Sequence, residues 1–429
     1  MFEYVASGMN HTRISKKSLR DAVIQNKNDP TIELINAMTK SINREHHKMS
    51  FLFNAYAEVL LGNIINDIIY KDTIYNTYAD SGGLQMITLG HTSTPLLRKK
   101  VYDVQSNLST IGMAFDEIPV ETTGRSDKAD TSGRLFCDSL MLKKAKETGE
   151  NLREQIENFK NNPNNKCKPM MIIQGNCYDT YNRWADIVLK EVNANDWKYI
   201  KGISSGSAAL GSGALEDFKR LFYMTHLDIP TEFNVNHYHL LGVGSLSRML
   251  PVFPLINNGS ITEDCLISYD STTHTSSISN GKYFYNAKLS DFAKNKNKDF
   301  FNVVANINNN MAILGFGPIN EDHLFYRICQ PSLWNDIIGE SLYDEFKTIF
   351  SYFISSVYNF MNCIDRLKDD KLYYEEFAIS KKLLMPLKTY ETCRDLKDFS
   401  EWENCFSKVL RSNSINNKKD VPVSLDTLF

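Results

Sequence analysis

The sequence predicts an α/β fold in which parallel strands alternate with helices and close into a barrel. Short apolar runs recur at intervals of one strand–helix unit, which is typical of parallel strands joined by crossover helices. Polar residues follow the carboxyl ends of these runs repeatedly, where a (β/α)8 TIM-like barrel collects its functional side chains. The 429 residues suffice for one elaborated barrel, or for a barrel with a smaller domain.

The strand–helix alternation is clearest between about residues 78 and 285. After the segment around Asp80, the apolar runs predict strands near residues 111–117, 170–175, 199–203, 239–244 and 264–270. The segment 132–159 contains no proline and repeats leucines at helical spacing, and 213–226 places its apolar residues on one face. Both segments are predicted to be crossover helices.

The two ends of the chain are predicted to be helical elaborations of this barrel. Residues 1–75 mix polar and apolar positions with helix-like periodicity and form the N-terminal elaboration. Residues 76–330 are assigned to the catalytic barrel core. Residues 331–429 are assigned to a mainly helical C-terminal region, because 336–367 carries an apolar stripe at helical spacing.

Composition excludes several classes of protein. A hydrophobic content of 42% with 23% charged residues is typical of a globular chain, and no apolar run approaches the ~20 residues that cross a bilayer. The first ten residues do not resemble a secretory signal, and the eight cysteines form no C-x-x-C pair. We therefore expect a cytoplasmic protein with reduced thiols, no membrane association, no local metal motif and no cofactor. A non-local zinc site that uses His323, Cys329 or Cys363 stays open.

The segment Ala79–Gln85 reads Ala-Asp-Ser-Gly-Gly-Leu-Gln and is the most informative stretch of the chain. Its glycine pair allows close approach of backbone to a ligand, and Asp80 can take or give a proton. Asp116, Gln174 and Asp270 follow later apolar runs. Taken singly, each is an ordinary turn or strand-end residue. Their clustering at the strand ends of one barrel favours a catalytic site.

In this order, the motifs resemble those of the tRNA-guanine transglycosylase superfamily, whose members exchange a guanine in a polynucleotide for a 7-deazaguanine. The resemblance covers about half of the chain, roughly residues 78–285. It rests on Asp-Ser-Gly-Gly-x-Gln at 80–85, Phe-Asp-Glu at 115–117, Ile-Gln-Gly at 173–175, a glycine-rich segment at 202–211, Leu-Leu-Gly-Val-Gly at 240–244, and Tyr-Asp at 269–270 followed by Asn-Gly at 280–281.

The resemblance implies a role for each matching residue. Asp270 would be the nucleophile that attacks the sugar C1′ atom, and Asp80 the general acid/base that handles the proton of the leaving and incoming bases. Asp116 would accept from guanine N1–H and the exocyclic amine, and Gln174 would hold O6. The remaining residues of the implied base pocket are Ser81, Gly82, Gly206, Ser207 and Ala208.

Departures from the tRNA enzymes are also informative. The arginine-containing sequence that follows their nucleophile is replaced by residues 271–277, Ser-Thr-Thr-His-Thr-Ser-Ser, and their downstream cysteine-rich zinc site is missing. Ser212 stands where the bacterial enzymes have a glutamate. These differences favour a likeness to the DpdA-type DNA-guanine transglycosylases of phage and bacterial 7-deazaguanine systems.

That likeness implies DNA and a free 7-deazaguanine base, preQ0 or an amide derivative, as partners. A partner protein or a homodimer is left open. The alternatives are a divergent tRNA-guanine transglycosylase and a non-catalytic partner subunit that keeps the same barrel.

Overall fold

A computed structural model describes residues 1–8, 47–64, 74–83, 93–121, 135–136, 138–206, 214–243, 264–279, 282–284, 316–318 and 352–361, with a few isolated positions between them. Its strands are β1 Phe2–Ala6, β2 His47–Asn54, β3 Thr77–Asp80, β4 Ile111–Met113, β5 Val120–Glu121, β6 Leu135–Phe136, β7 Lys168–Ile173, β8 Gly202–Ser205, β9 His237–Leu240, β10 Leu266–Ser271, β11 Lys282–Phe284 and β12 Phe316–Pro318.

Eight of these strands form a closed barrel in the order β1-β10-β9-β8-β7-β4-β3-β2, and every neighbouring pair in it is parallel. The helices are α1 Val59–Ile64, α2 Pro95–Leu108, α3 Asp138–Asn161, α4 Tyr178–Glu191, α5 Ala214–Thr225 and α6 Thr273–Ser279, with a 3-10 helix at Ala194–Tyr199. The predicted α/β barrel with helices between its strands is therefore confirmed.

Local sequence explains where a crossover helix begins. Thr94 lies just before α2, and its side chain accepts a hydrogen bond from the Leu97 N–H at 3.2 Å. Pro95 occupies the first turn, where its missing N–H costs nothing. The helices predicted at 132–159 and 213–226 appear as α3 and α5, and their limits differ by a few residues.

The barrel begins earlier in the chain than the sequence pattern predicts. β1 and β2 are the first two barrel strands, and both lie inside the segment 1–75 that was assigned to an elaboration outside the core. The physical reason is a polar barrel interior. Glu3 on β1 and Ser50 on β2 are fully buried and hydrogen-bond to each other, and each interrupts the apolar residues of its strand.

Part of the predicted C-terminal helical region packs on the barrel. Residues 352–361 are helical and lie within the segment 336–367 that the apolar stripe predicts. Ser356 Oγ lies 2.7 Å from the His274 Nδ1 atom of α6, and the Phe353 ring lies 6.3 Å from that of Phe51 in β2. Most of 331–429 lies outside the described residues. Among those described, none forms a helix long and apolar enough to span a bilayer.

Candidate active site

Two carboxylates lie at the carboxyl ends of barrel strands. Asp80 is the last residue of β3, and Asp270 lies near the end of β10. Burial and, to a smaller extent, the negative charge of Asp270 together raise the pKa of Asp80 to about 6. Backbone hydrogen bonds from Gly82 and Ser81 act in the opposite direction. The two acids are therefore close enough for their charges to interact, as the sequence predicts for the ends of converging strands.

The turn after Asp80 requires glycine. Gly82 has φ of +79°, and a Cβ atom there would lie 2.8 Å from the Asn54 Oδ1 atom and from the Tyr56 Cβ atom. Ser81 is buried, and its Oγ accepts from the Gly83 N–H at 3.4 Å. The turn thereby brings backbone N–H groups to the Asp80 carboxyl, which a chain with larger side chains could not do.

Asp116 and Gln174 form a second polar group in this part of the barrel. The Gln174 Nε2 atom donates to Asp116 Oδ2 at 2.6 Å. The pKa of Asp116 is raised to about 7, mainly by burial. The hydrogen bond from Gln174 opposes this rise, and the charge of Asp80 adds to it. A Cβ atom on Gly83 would lie 3.3 Å from Asp116 Oδ1, so the glycine pair also borders this carboxylate.

One atom of this pair lacks a partner. Gln174 is 1% exposed, and its Oε1 atom is buried without a hydrogen bond among the residues that the structure describes. A buried acceptor left unsatisfied costs about 1–3 kcal/mol. A ligand that brings an N–H group to Gln174 Oε1 or to Asp116 would therefore be stabilised here.

Gly206 leaves room for the side-chain amide of Gln174. Its N–H donates to the Ile173 carbonyl at 2.8 Å, and a Cβ atom on Gly206 would lie only 2.1 Å from Gln174 Nε2. The lack of a side chain at this position therefore lets the amide face Asp116. The other predicted pocket residues of this segment, Ser207 and Ala208, lie outside the described residues.

Asp270 is held by the turn after the neighbouring strand. The Gly242 N–H donates to Asp270 Oδ1 at 2.7 Å, and Gly242 has φ of +71°. The His239 Nε2 atom lies 3.5 Å from the same oxygen. The glycine of the Leu-Leu-Gly motif at 240–242 thus supplies the backbone donor for the acid on β10.

Sequence reasoning missed the amide pair that fixes the strand ends. Gln105 of α2 donates through Nε2 to the Ala79 carbonyl at 3.0 Å and to the Met113 carbonyl at 2.9 Å. The Gln155 Nε2 atom of α3 donates to Gln105 Oε1 at 2.7 Å. This pair ties β3, just before Asp80, to the end of β4. The available signal was Gln105 itself, a polar residue on the buried face of α2.

The sequence motifs also assign no role to His237 and His239, although their spacing in a strand places both on one face. In the part of the chain that the structure describes, no three His, Cys, Asp or Glu side chains are grouped to hold a metal ion.

Comparisons of the chain with known family models and with curated proteins give no match. The chain is a (β/α)8 barrel with acidic residues at the carboxyl ends of its strands. The resemblance to the transglycosylase superfamily rests on the sequence motifs alone.

Proposed function

We propose that the protein is a transglycosylase that exchanges guanine in DNA for a 7-deazaguanine base, preQ0 or an amide derivative. The observation that carries the proposal is the pair of interacting carboxylates, Asp80 and Asp270, at the carboxyl ends of β3 and β10. Beside Asp80 lies the hydrogen-bonded pair of Asp116 and Gln174, which suits the polar edge of a purine.

Replacement of a base without cleavage of the backbone requires two displacements at C1′, since two inversions restore the sugar configuration. In the first, an Asp270 oxygen bonds to C1′ while the C1′–N9 bond breaks, and N9 of the departing guanine takes the proton of Asp80. In the second, Asp80 removes the N9 proton of the incoming base. That nitrogen then bonds to C1′ and releases the Asp270 carboxylate.

The environment of Asp80 suits both proton transfers. A group that must give a proton in one step and take one in the next works best with a pKa near the working pH. Burial and the charge of Asp270 raise the pKa of Asp80 to about 6, well above the ordinary value of 3.8. The division of labour between two acids in different environments follows a pattern common to carboxylate-based glycosyl transfer.

Asp116 and Gln174 would select the base. Guanine offers N1–H and its exocyclic amine as donors, which the Asp116 carboxylate and the Gln174 Oε1 atom can accept. Because Gln174 Nε2 already donates to Asp116, this arrangement gives Gln174 a guanine N–H to accept instead of O6, the atom that the family resemblance assigns to it. Adenine has no N1–H, so it would leave at least one buried acceptor unpaired. That mismatch costs about 1–3 kcal/mol, or roughly a 5- to 150-fold loss of binding.

The choice of DNA rests on the segment that follows Asp270. α6, Thr273–Ser279, contains no lysine or arginine, whereas the tRNA enzymes place arginines here. Its histidine, His274, is buried, and burial lowers its pKa to about 3, so it carries no positive charge at neutral pH. A duplex target would have to expose its guanine, at a cost of roughly a few kcal/mol.

Exchange of labelled guanine tests the proposal. The purified protein is incubated with radiolabelled guanine and either duplex DNA or tRNA, and Asp270→Asn serves as the matched control. We expect label in DNA alone, and none with the variant. Label in tRNA alone would contradict the choice of polymer. No label with either polymer, together with unchanged cellular DNA modification by Asp270→Asn, would indicate a non-catalytic subunit.

A further inference from the structure

A line of buried polar side chains runs through the barrel behind Asp270, and the proposed reaction does not use it. Because alternate residues of a strand face the same side, His237 and His239 of β9 point to the same face, and so do Ser268 and Asp270 of β10. These two histidines and Ser268 are fully buried, as are Tyr78 of β3 and Glu3 of β1.

Short contacts join these side chains in sequence. Ser268 Oγ lies 2.7 Å from the His239 Nδ1 atom and 2.6 Å from the His237 Nε2 atom. His237 Nε2 lies 3.2 Å from the Tyr78 hydroxyl, which donates to Glu3 Oε2 at 2.5 Å. At the other end, His239 Nε2 is buried, makes no hydrogen bond among the described residues, and faces Asp270 Oδ1 at 3.5 Å.

The Glu3 end fixes the direction of the hydrogen bonds. Burial raises the pKa of Glu3, but hydrogen bonds from Ser50, Tyr78 and Asn76 favour its charged form, which accepts from the Tyr78 hydroxyl. The Tyr78 oxygen then faces His237 Nε2 as an acceptor, which favours a hydrogen on that nitrogen, shared between the Tyr78 oxygen at 3.2 Å and the closer Ser268 Oγ at 2.6 Å. Burial lowers the pKa of His237 well below its usual range, so the ring is neutral and has one N–H. Ser268 then accepts from His237 and donates its own hydrogen to His239 Nδ1.

The consequence for His239 is a definite tautomer. With Nδ1 accepting from Ser268, a neutral His239 carries its hydrogen on Nε2, directed at Asp270 Oδ1. The Gly242 N–H donates to the same oxygen at 2.7 Å. Within the described part of the chain, Asp270 Oδ2 receives no hydrogen bond and is the oxygen left for attack.

We infer that His239 is a positioning residue: it orients the Asp270 carboxylate together with the Gly242 amide, and the line of side chains from Glu3 selects its tautomer. The distance of 3.5 Å is long for a hydrogen bond and would shorten in the substrate complex, as catalytic hydrogen bonds commonly do. The kinetic consequence rests on the proposed function of Asp270, whereas the tautomer does not.

The tautomer is tested without any substrate. Long-range proton–nitrogen NMR of the full chain labelled with ¹⁵N-histidine reports which ring nitrogen carries the hydrogen, and His239→Gln identifies the signal. We expect the Nε2–H form in the wild type. In Glu3→Gln the new amide can donate to the Tyr78 oxygen, so the Nδ1–H form of His239 should appear. An Nδ1–H tautomer in the wild type would overturn the inference. Tyr78→Phe gives a second test if Glu3→Gln does not fold, since it also frees the tautomer.

The kinetic role is tested by base exchange with two variants. His239→Gln can place an amide N–H near the position of Nε2, whereas His239→Leu cannot. We expect His239→Leu to lower kcat by about 10- to 100-fold with little change in KM, as for a misplaced reacting group. His239→Gln should recover most of the loss. Equal losses in both folded variants would overturn the positioning role. Wild-type protein without exchange activity, but with the Nε2–H tautomer, would count against the proposed function alone.

Discussion

Gly206→Ala is expected to disable the base pocket without touching either reacting carboxylate. The added methyl carbon would lie 2.1 Å from Gln174 Nε2 and 2.2 Å from Gln174 Cδ. Ordinary contacts of this kind are about 3.5 Å, so the amide must move by more than 1 Å. Its hydrogen bond to Asp116, now 2.6 Å long, would then be broken.

The size of the effect follows from that lost bond. A hydrogen bond to a charged group contributes about 1.5–3 kcal/mol, which corresponds to roughly 10- to 150-fold in affinity. We therefore expect KM for the free base to rise by about that factor, with a much smaller change in kcat. Labelled-base exchange at several base concentrations measures both constants.

Two further variants test whether the Gly206→Ala effect acts through the Gln174 amide. In Gln174→Ala the amide is gone and the space is open, so adding Gly206→Ala should change KM by less than about twofold. Gly83→Ala is the graded control, since its Cβ atom would lie 3.3 Å from Asp116 Oδ1 and needs a shift of only a few tenths of an ångström. Independent, additive effects of Gly206→Ala and Gln174→Ala would show that the glycine does not act through the amide.

In three other experiments, burial and hydrogen bonding determine whether fold stability or guanine affinity rises or falls. Asp80→Asn should stabilise the fold by up to about 3 kcal/mol at about pH 8 and have little effect at about pH 4. The reason is that the pKa of Asp80 is raised to about 6, so the folded state is destabilised by ionisation of this group only as the pH rises. Thermal denaturation at both pH values checks this. Guanine should bind about tenfold more weakly for each pH unit below about 7, where Asp116 takes up a proton, and calorimetry should show no such dependence in Asp116→Asn. Gln105→Ala leaves the Ala79 and Met113 carbonyls without this donor and should cost about 3 kcal/mol in chemical denaturation; a loss below about 1 kcal/mol would contradict the tying role.

The part of the fold that the sequence predicts is the part with an apolar strand pattern. The apolar runs at 111–117, 170–175 and 264–270 coincide with β4, β7 and β10, and α3 and α5 show clear helical periodicity. In β1 and β2 the apolar residues are interrupted by Glu3 and Ser50, which are buried and hydrogen-bond to each other in the barrel interior. In a sequence, a polar residue that is buried cannot be distinguished from an exposed one, because its hydrogen-bond partner lies on another strand.

The same limit applies to the site. Asp80 and Asp270 could be paired in advance because a parallel barrel brings all its strand carboxyl ends to one face. The contacts behind them could not: Tyr78 and Glu3 are 75 residues apart in the chain, and Gln105 and Gln155 are 50 apart. Such pairs depend on three-dimensional packing, and no local motif in a single sequence encodes them.

Capture of the covalent sugar–protein intermediate tests the central claim most directly. The protein is incubated with guanine-containing duplex DNA and no incoming base, denatured, and analysed by intact mass and peptide mapping. The proposed double displacement predicts a DNA adduct on the peptide that carries Asp270, and no adduct in Asp270→Asn. An adduct on another residue, or wild-type exchange by Asp270→Asn, would contradict it.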